Sequence, residues 1–357
     1  MHKQLFIPGP TEVAPEVLQE MTKPLIGHRT KECSDLQKSI SEKVQKLFYT
    51  ENTIILSTSS GSGLMESAIR SCTAKKALCT AIGSFGKRWH KMAVTNRVPA
   101  TLIEAEPGEP ISLEEIEAHL KTGEYDLLTV THSETSTGVG NDLEAISALM
   151  KNFPEVVWCV DAVSSAGGMK IEMDRLGIDI LLTSSHKALA LPPGMAICAV
   201  SQKAYERTFE VEYRGLYFDL QDLYKRVVEK NFQYPSTPNV SMMFALDYQL
   251  SRILEEGLDN RFKRHQEMAN YVRAWAKNYF DLFPNENYMV DTQTVIKNTR
   301  GISVADLNEA LALRGKTLSN GYGDLKEKTF RIAHMGEITL DDVKALLKDI
   351  EEILDLK

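Results

Sequence analysis

Apolar runs rich in Val, Ile and Leu alternate with stretches of helical period over the first two thirds of the chain, the pattern of an α/β protein with a buried, mostly parallel sheet. Seven runs read as strands: 53–58, 76–81, 100–104, 127–131, 156–160, 178–183 and 195–200. Between them, 63–72, 87–95, 112–120 and 143–152 read as covering helices. Near residue 246 the pattern changes. A helix over 246–256 leads into a long amphipathic one over 257–280, followed by short strand and helix candidates at 288–296, 304–314, 329–334 and 340–354. This predicts a large domain over 1–250 with a seven-stranded sheet, and a small C-terminal α+β domain over 251–357.

Composition narrows the function classes. A chain of 357 residues suggests about two domains. Its 41 basic and 49 acidic residues give a net charge of −8 with no long basic run, which argues against a nucleic-acid partner. No apolar stretch nears the ~20 residues of a membrane span. Five scattered cysteines without a C-x-x-C pair argue against a disulfide framework and against a metal site. The opening MHKQLFIPGP breaks at Pro8 before a signal-peptide core can form, so a cytoplasmic protein is expected.

Three segments carry candidate chemistry, all at carboxyl ends of predicted strands, where open α/β sheets bind ligands. The strand 178–183 runs into Ser184-Ser185-His186-Lys187, where partial burial would lower the lysine's pKa and make its amine a nucleophile toward carbonyls. Alone, Lys187 reads first as a surface lysine in a loop. The strand 156–160 ends in Asp161, a costly place for a carboxylate without a partner; the pyridinium nitrogen of pyridoxal phosphate is one partner and a helix cap is another use. Ser57-Thr58-Ser59-Ser60-Gly61-Ser62-Gly63 is a hydroxyl- and glycine-rich turn opening a helix, suited to a phosphate or to ordinary capping. It lacks the Lys-Ser/Thr of a P-loop and the spacing of G-x-G-x-x-G.

In their joint order these segments resemble the class V aminotransferases of pyridoxal-phosphate fold type I, most closely the alanine-glyoxylate and serine-pyruvate group, over nearly the whole chain. The matching segments include Pro8-Gly9-Pro10-Thr11, Gly27-His28-Arg29, Ser60-Gly61-Ser62-Gly63, Gly83-Ser84-Phe85-Gly86, 131–138, Val160-Asp161-Ala162-Val163, Ser185-His186-Lys187-Ala188, Pro192-Pro193-Gly194 and Phe330-Arg331-Ile332.

The resemblance implies roles residue by residue. Lys187 is similar to the Schiff-base lysine and proton carrier, and Asp161, followed by Val163, to the partner of the ring nitrogen. Ser62, Gly63 and Leu64 align with the phosphate cradle, Leu64 replacing a histidine frequent there; the backbone donor stays and a side-chain contact goes. Phe85 aligns with the aromatic that stacks on the cofactor and Thr135 with a hydroxyl near its phenolic oxygen. His186 stands where close relatives have glutamine; histidine there is familiar from cysteine desulfurases, but no cysteine follows Cys198 to act as their nucleophile. Tyr234 and Thr237 align with residues that reach the cofactor phosphate of a neighbouring subunit, implying a homodimer with a shared active site. Arg331, a lone arginine in an apolar strand, would clamp the substrate carboxylate, and the first thirty residues, Gly27 among them, would line the active-site entrance; His28 and Arg29 read equally as a structural pair.

The expected activity is ping-pong transamination of a small neutral amino acid, alanine or serine, with glyoxylate or pyruvate. Alternatives are a class V enzyme using aspartate, phosphoserine or 2-aminoethylphosphonate, a pyridoxal-phosphate lyase, or a non-catalytic scaffold relative.

Overall fold

The computed structural model describes residues 2–356. Its twelve strands are β1 (Gln4–Phe6), β2 (Thr53–Ser57), β3 (Ala77–Ala81), β4 (Ala100–Glu104), β5 (Leu127–Thr131), β6 (Val157–Asp161), β7 (Ile180–Ser184), β8 (Ala196–Val200), β9 (Asp281–Leu282), β10 (Gln293–Lys297), β11 (Lys316–Asn320) and β12 (Thr329–Ala333). Seven of them form one sheet in the order β2-β8-β7-β6-β5-β3-β4. Strand β8 runs antiparallel to both its neighbours, and the remaining pairings are parallel. Successive residues of these strands feed cores on opposite faces: Leu128, Val130, Trp158 and Val160 on one, Leu127, Val157 and Cys159 on the other. Burial on both faces is why the strands read as continuous apolar runs rather than as alternation.

The predicted helices are present with boundaries moved by a few residues, as at Gly61–Cys72 and Ser84–Thr95. The helix Lys31–Phe48 was not anticipated. Thr30 caps it by accepting from the Cys33 N–H, and Ile40, Val44 and Leu47 form its buried stripe against the helix Val240–Glu256.

The second sheet has the order β1-β11-β12-β10-β9 and is covered by the helices Leu258–Tyr279, Val304–Leu313 and Leu340–Leu354. The last begins with a capping box in which Thr339 and Asp342 satisfy each other's backbone N–H groups. Strand β1 belongs here: Gln4, Leu5 and Phe6 pair in parallel with Lys316, Thr317 and Leu318, and Phe6 is fully buried in this core. From β1 in the second sheet the chain crosses to the first over Pro8–Thr11. Neither β1 nor β11 was foreseen, and the candidate at 288–296 begins as a strand only at Gln293.

Arg261, 2% exposed, joins the two parts. It donates to the carbonyls of Gly167 (2.7 Å) and Ala188 (2.6 Å) and to the Glu256 carboxylate (2.6 Å), so this buried charge is fully partnered and holds the loop behind Lys187 to the helix Leu258–Tyr279. No helix among the described residues is long and apolar enough to cross a membrane.

Candidate active site

The carboxyl ends of β2, β3, β5, β6 and β7 emerge at one edge of the large sheet, and their turns surround a cleft. Each turn has a local reason for its shape. After β2, Gly61 opens a helix so close to β7 that a Cβ there would lie 2.6 Å from Val163 Cγ2 and 2.7 Å from Ser184 Oγ; its N–H donates to that hydroxyl (2.7 Å). After β3, Gly83 (φ +157) brings the chain against Glu134, with room for no side chain.

Glu134, fully buried, accepts from the N–H groups of Phe85 (2.9 Å), Gly86 (3.1 Å) and Ser136 (3.0 Å) and from the Ser136 hydroxyl (2.6 Å). The carboxylate therefore sits at the N-terminus of the helix Ser84–Thr95, where the helix dipole favours negative charge, and fixes the backbone that carries Phe85. Burial pushes its pKa up, while these hydrogen bonds work against the rise.

Asp161 ends β6 and is 4% exposed. Its Oδ1 accepts from the Val163 N–H (2.9 Å), and it has no ion-pair partner among the described residues. Burial raises its pKa to about 6. Lys187, three residues beyond the neighbouring strand β7, is 9% exposed, and burial lowers its pKa to about 8, against the opposing pull of Asp161. Its Nζ donates to the Pro8 carbonyl, and Thr11 Oγ1 donates to the Lys187 carbonyl (2.9 Å). Gly9 (φ +122) passes so near that a Cβ would stand 2.8 Å from Lys187 Cδ. A partly neutral amine beside a carboxylate of raised pKa is the pairing expected of a carbonyl-binding lysine with an acid held for a cofactor.

Of the residues anticipated from sequence, Ser62, Phe85, Thr135, Asp161, Val163, His186 and Lys187 line the cleft together. Leu64 does not: at 1% exposure it is packed in the core between the sheet and its helix, which leaves only its backbone for a ligand. Gly63, one residue earlier, is buried against Ser59 and Phe218. Arg331, on β12, bonds the carbonyls of Asn320 (3.0 Å) and Thr135 (3.1 Å), lies over the Tyr322 ring (5.6 Å), and forms no ion pair among the described residues. Tyr234 and Thr237 stand outside the cleft within the single chain. The Tyr234 hydroxyl accepts from the Thr58 N–H (3.1 Å), and exposed Thr237 shares a surface groove with Gly27 and His28. Arg29 joins those two segments by donating to the carbonyls of Tyr234 and Pro235.

Sequence reasoning passed over Glu134 as a support, Pro8 and Gly9 as the lysine's neighbours, and two groups packed on Phe85. Arg88 borders the cleft with its guanidinium 4.6 Å from the Phe85 ring centre, and Tyr322 packs 5.6 Å from the same ring. The i, i+3 spacing from Phe85 to Arg88 was the available signal for the first.

The donors present fit pyridoxal phosphate. His186 Nδ1 is buried without a hydrogen-bond partner, and burial together with the Lys187 charge lowers the ring's pKa to about 4, leaving a neutral group free to bond an anion. Lys187 would bind the carbonyl carbon, Asp161 the ring nitrogen, Phe85 a ring face, and the start of the helix Gly61–Cys72 the phosphate.

Comparison with known proteins agrees with this chemistry. Residues 4–322 match the model of the family described as aminotransferase class-V. An uncharacterized aminotransferase of Methanocaldococcus jannaschii is 38% identical over 98% of this chain and 92% of its own. The L-aspartate–glyoxylate aminotransferase of Paracoccus denitrificans is 32% identical over 94% of this chain and 87% of its own. The crystal structure of the alanine–glyoxylate aminotransferase of Nostoc sp. superposes with a TM-score of 0.93 at 28% identity, covering 99% of this chain and 96% of the other. The chain therefore belongs to the class-V aminotransferases, pyridoxal-phosphate enzymes of fold type I.

Proposed function

We propose that the protein moves the amino group of a small neutral amino acid, alanine or serine, to glyoxylate or pyruvate in two half-reactions that share one site. The observation that carries this reading is the buried Lys187–Asp161 pair on adjacent strand ends, with Arg331, which forms no ion pair among the described residues, at the edge of the same site. Bound there, pyridoxal phosphate supplies the electron sink for the substrate's α-carbon. Lys187 Nζ takes the α-proton and returns one in the second half-reaction. Asp161 would hold the proton of the ring nitrogen, Arg331 orients the substrate carboxylate through its guanidinium fork, and Thr135 and Phe85 limit how the ring can tilt. Glyoxylate as acceptor is supported by two of the similar proteins being named for it.

The catalytic unit in this reading is a homodimer in which Tyr234 and Thr237 of one copy reach the cofactor phosphate of the other, with Gly27 at the shared entrance. Support comes from the groove that holds Gly27, His28 and Thr237, and from the exposure of Leu25 (73%), Tyr213 (82%) and Leu216 (90%). The five cysteines are buried free thiols, in keeping with a reducing, cytoplasmic compartment. The test is the visible band of the loaded enzyme, followed as L-alanine, L-serine and L-aspartate are added singly without an oxo acid. Bleaching by alanine or serine supports the reading, bleaching by aspartate alone moves the donor class, and no response to any of them overturns transamination.

A further inference from the structure

We infer that Arg88 is an anion-holding residue of the cleft that binds the phosphate of the cofactor, an inference that rests on the pyridoxal-phosphate reading above. Arg88 is one helical turn after Phe85, and its side chain reaches back across that ring, 4.6 Å from its centre, to donate from Nη1 to Ser62 Oγ (3.2 Å). Ser62 lies in the first turn of the helix Gly61–Cys72, and Ser60, at the cap, provides no side-chain cap for it. An anion seated at that helix start is therefore within reach of the guanidinium.

Three further observations favour this role. Arg88 forms no ion pair among the described residues, although it is partly buried and other arginines of comparable burial, Arg207 and Arg214, are matched to carboxylates. The cations lining the cleft are Arg88 and Lys187, and the lysine amine is engaged by the Pro8 carbonyl. Leu64 offers no polar side chain to this end of the cleft and His186 is neutral there, so the phosphate's charge is left for Arg88 to balance. A planar guanidinium with parallel N–H donors suits phosphate oxygens, and stacking on Phe85 holds it in place before the ligand arrives. The same stack ties the phosphate end of the site to the ring that packs on the cofactor.

The experiment uses full-length apoprotein and compares pyridoxal phosphate with pyridoxal, which lacks the phosphate, by equilibrium titration of the visible band. Arg88→Met keeps the apolar stem over Phe85 and removes the charge. It is expected to weaken pyridoxal phosphate binding roughly 10- to 100-fold and to leave pyridoxal binding unchanged. Inorganic phosphate should compete with pyridoxal phosphate for the parent and clearly less for the variant. Should Arg88→Met fold poorly, Arg88→Lys carries the test: a smaller loss, again confined to the phosphorylated ligand. Equal losses for both ligands, or none for either, overturn the inference and leave Arg88 as a support for Phe85. Failure of the parent protein to bind pyridoxal phosphate at all overturns the cofactor reading itself, and the inference with it.

Discussion

Lys187 donates from Nζ to the carbonyl of Pro8, 179 residues earlier in the chain, and Gly9 follows that carbonyl in a backbone conformation that brings it against the lysine stem. The amine is thus held at a defined place before any ligand is bound, by a segment that hangs between the two sheets. Gly9→Ala should disturb this directly. At φ +122 a Cβ is strained, and it would stand 2.8 Å from Lys187 Cδ, so the variant is expected to lose about 1–3 kcal/mol of stability and to take up cofactor more slowly. Thermal unfolding and stopped-flow uptake of pyridoxal phosphate check both.

The lowered pKa of Lys187 gives a pH dependence with a definite sign. Below about 8 the amine is mostly protonated and not nucleophilic; above it, the neutral form dominates. Capture of pyridoxal phosphate by the apoprotein should accelerate as pH rises through 8 and level off above it. A profile still climbing steeply near pH 10 would mean that burial does not act on this lysine. Lys187→Ala should abolish transamination while the unfolding transition remains cooperative; unaltered turnover would end the catalytic assignment.

Asp161 works in the opposite direction. Its pKa is about 6 in the folded chain against an ordinary ~3.9, so the ionised form is disfavoured in the folded apoprotein. That cost is present in full above pH 6 and fades as pH falls through 6 toward 4. Asp161→Asn keeps an acceptor for the Val163 N–H and removes the charge. The apo variant is therefore expected to be more stable than the parent by ~1–3 kcal/mol at pH 7, with the difference vanishing near pH 4. The same change should cut turnover by at least about 100-fold, because the ring nitrogen's proton loses its partner. Denaturant titrations at pH 4, 6 and 7.5, with steady-state rates, separate the two effects.

Tyr322 touches the Phe85 ring on one side and underlies the Arg331 guanidinium on the other. Tyr322→Ala should therefore raise KM for both the amino acid and the oxo acid several-fold, with kcat changed less, and Tyr322→Phe should restore most of the loss. An Arg331→Lys variant removes the fork itself and should raise both KM values by roughly 10-fold or more. Equal effects of Tyr322→Ala and Tyr322→Phe would place the role in the hydroxyl rather than in the stack.

The large sheet was legible because its strands are buried on both faces and announce themselves as unbroken apolar runs; Asp161 and Lys187 stood out as polar residues at the ends of such runs. The second sheet was not legible to the same degree. In β11, Lys-Thr-Leu-Ser-Asn, only Leu318 is buried, and three-residue β1 has no period to detect. Arg88, Glu134 and Tyr322 escaped for another reason. What makes them matter is contact with residues 26, 49 and 237 positions away; only Arg88 also has a local sign, its helical spacing from Phe85, and a linear pattern shows none of the distant neighbours. Tyr234 and Thr237 entered only through resemblance, and within the single chain they face Thr58 and the surface groove.

The pairing of β1 with β11 also sets the order in which the nascent protein can be completed. Strand β1 leaves the ribosome well before its partner at Lys316–Asn320, so at roughly 5–20 residues per second it waits on the order of 15–60 s for that partner to be made. By then the whole large sheet, Lys187 included, has already been synthesised. The pairing that anchors the segment carrying the Pro8 carbonyl therefore forms only after every strand of the large sheet has been made.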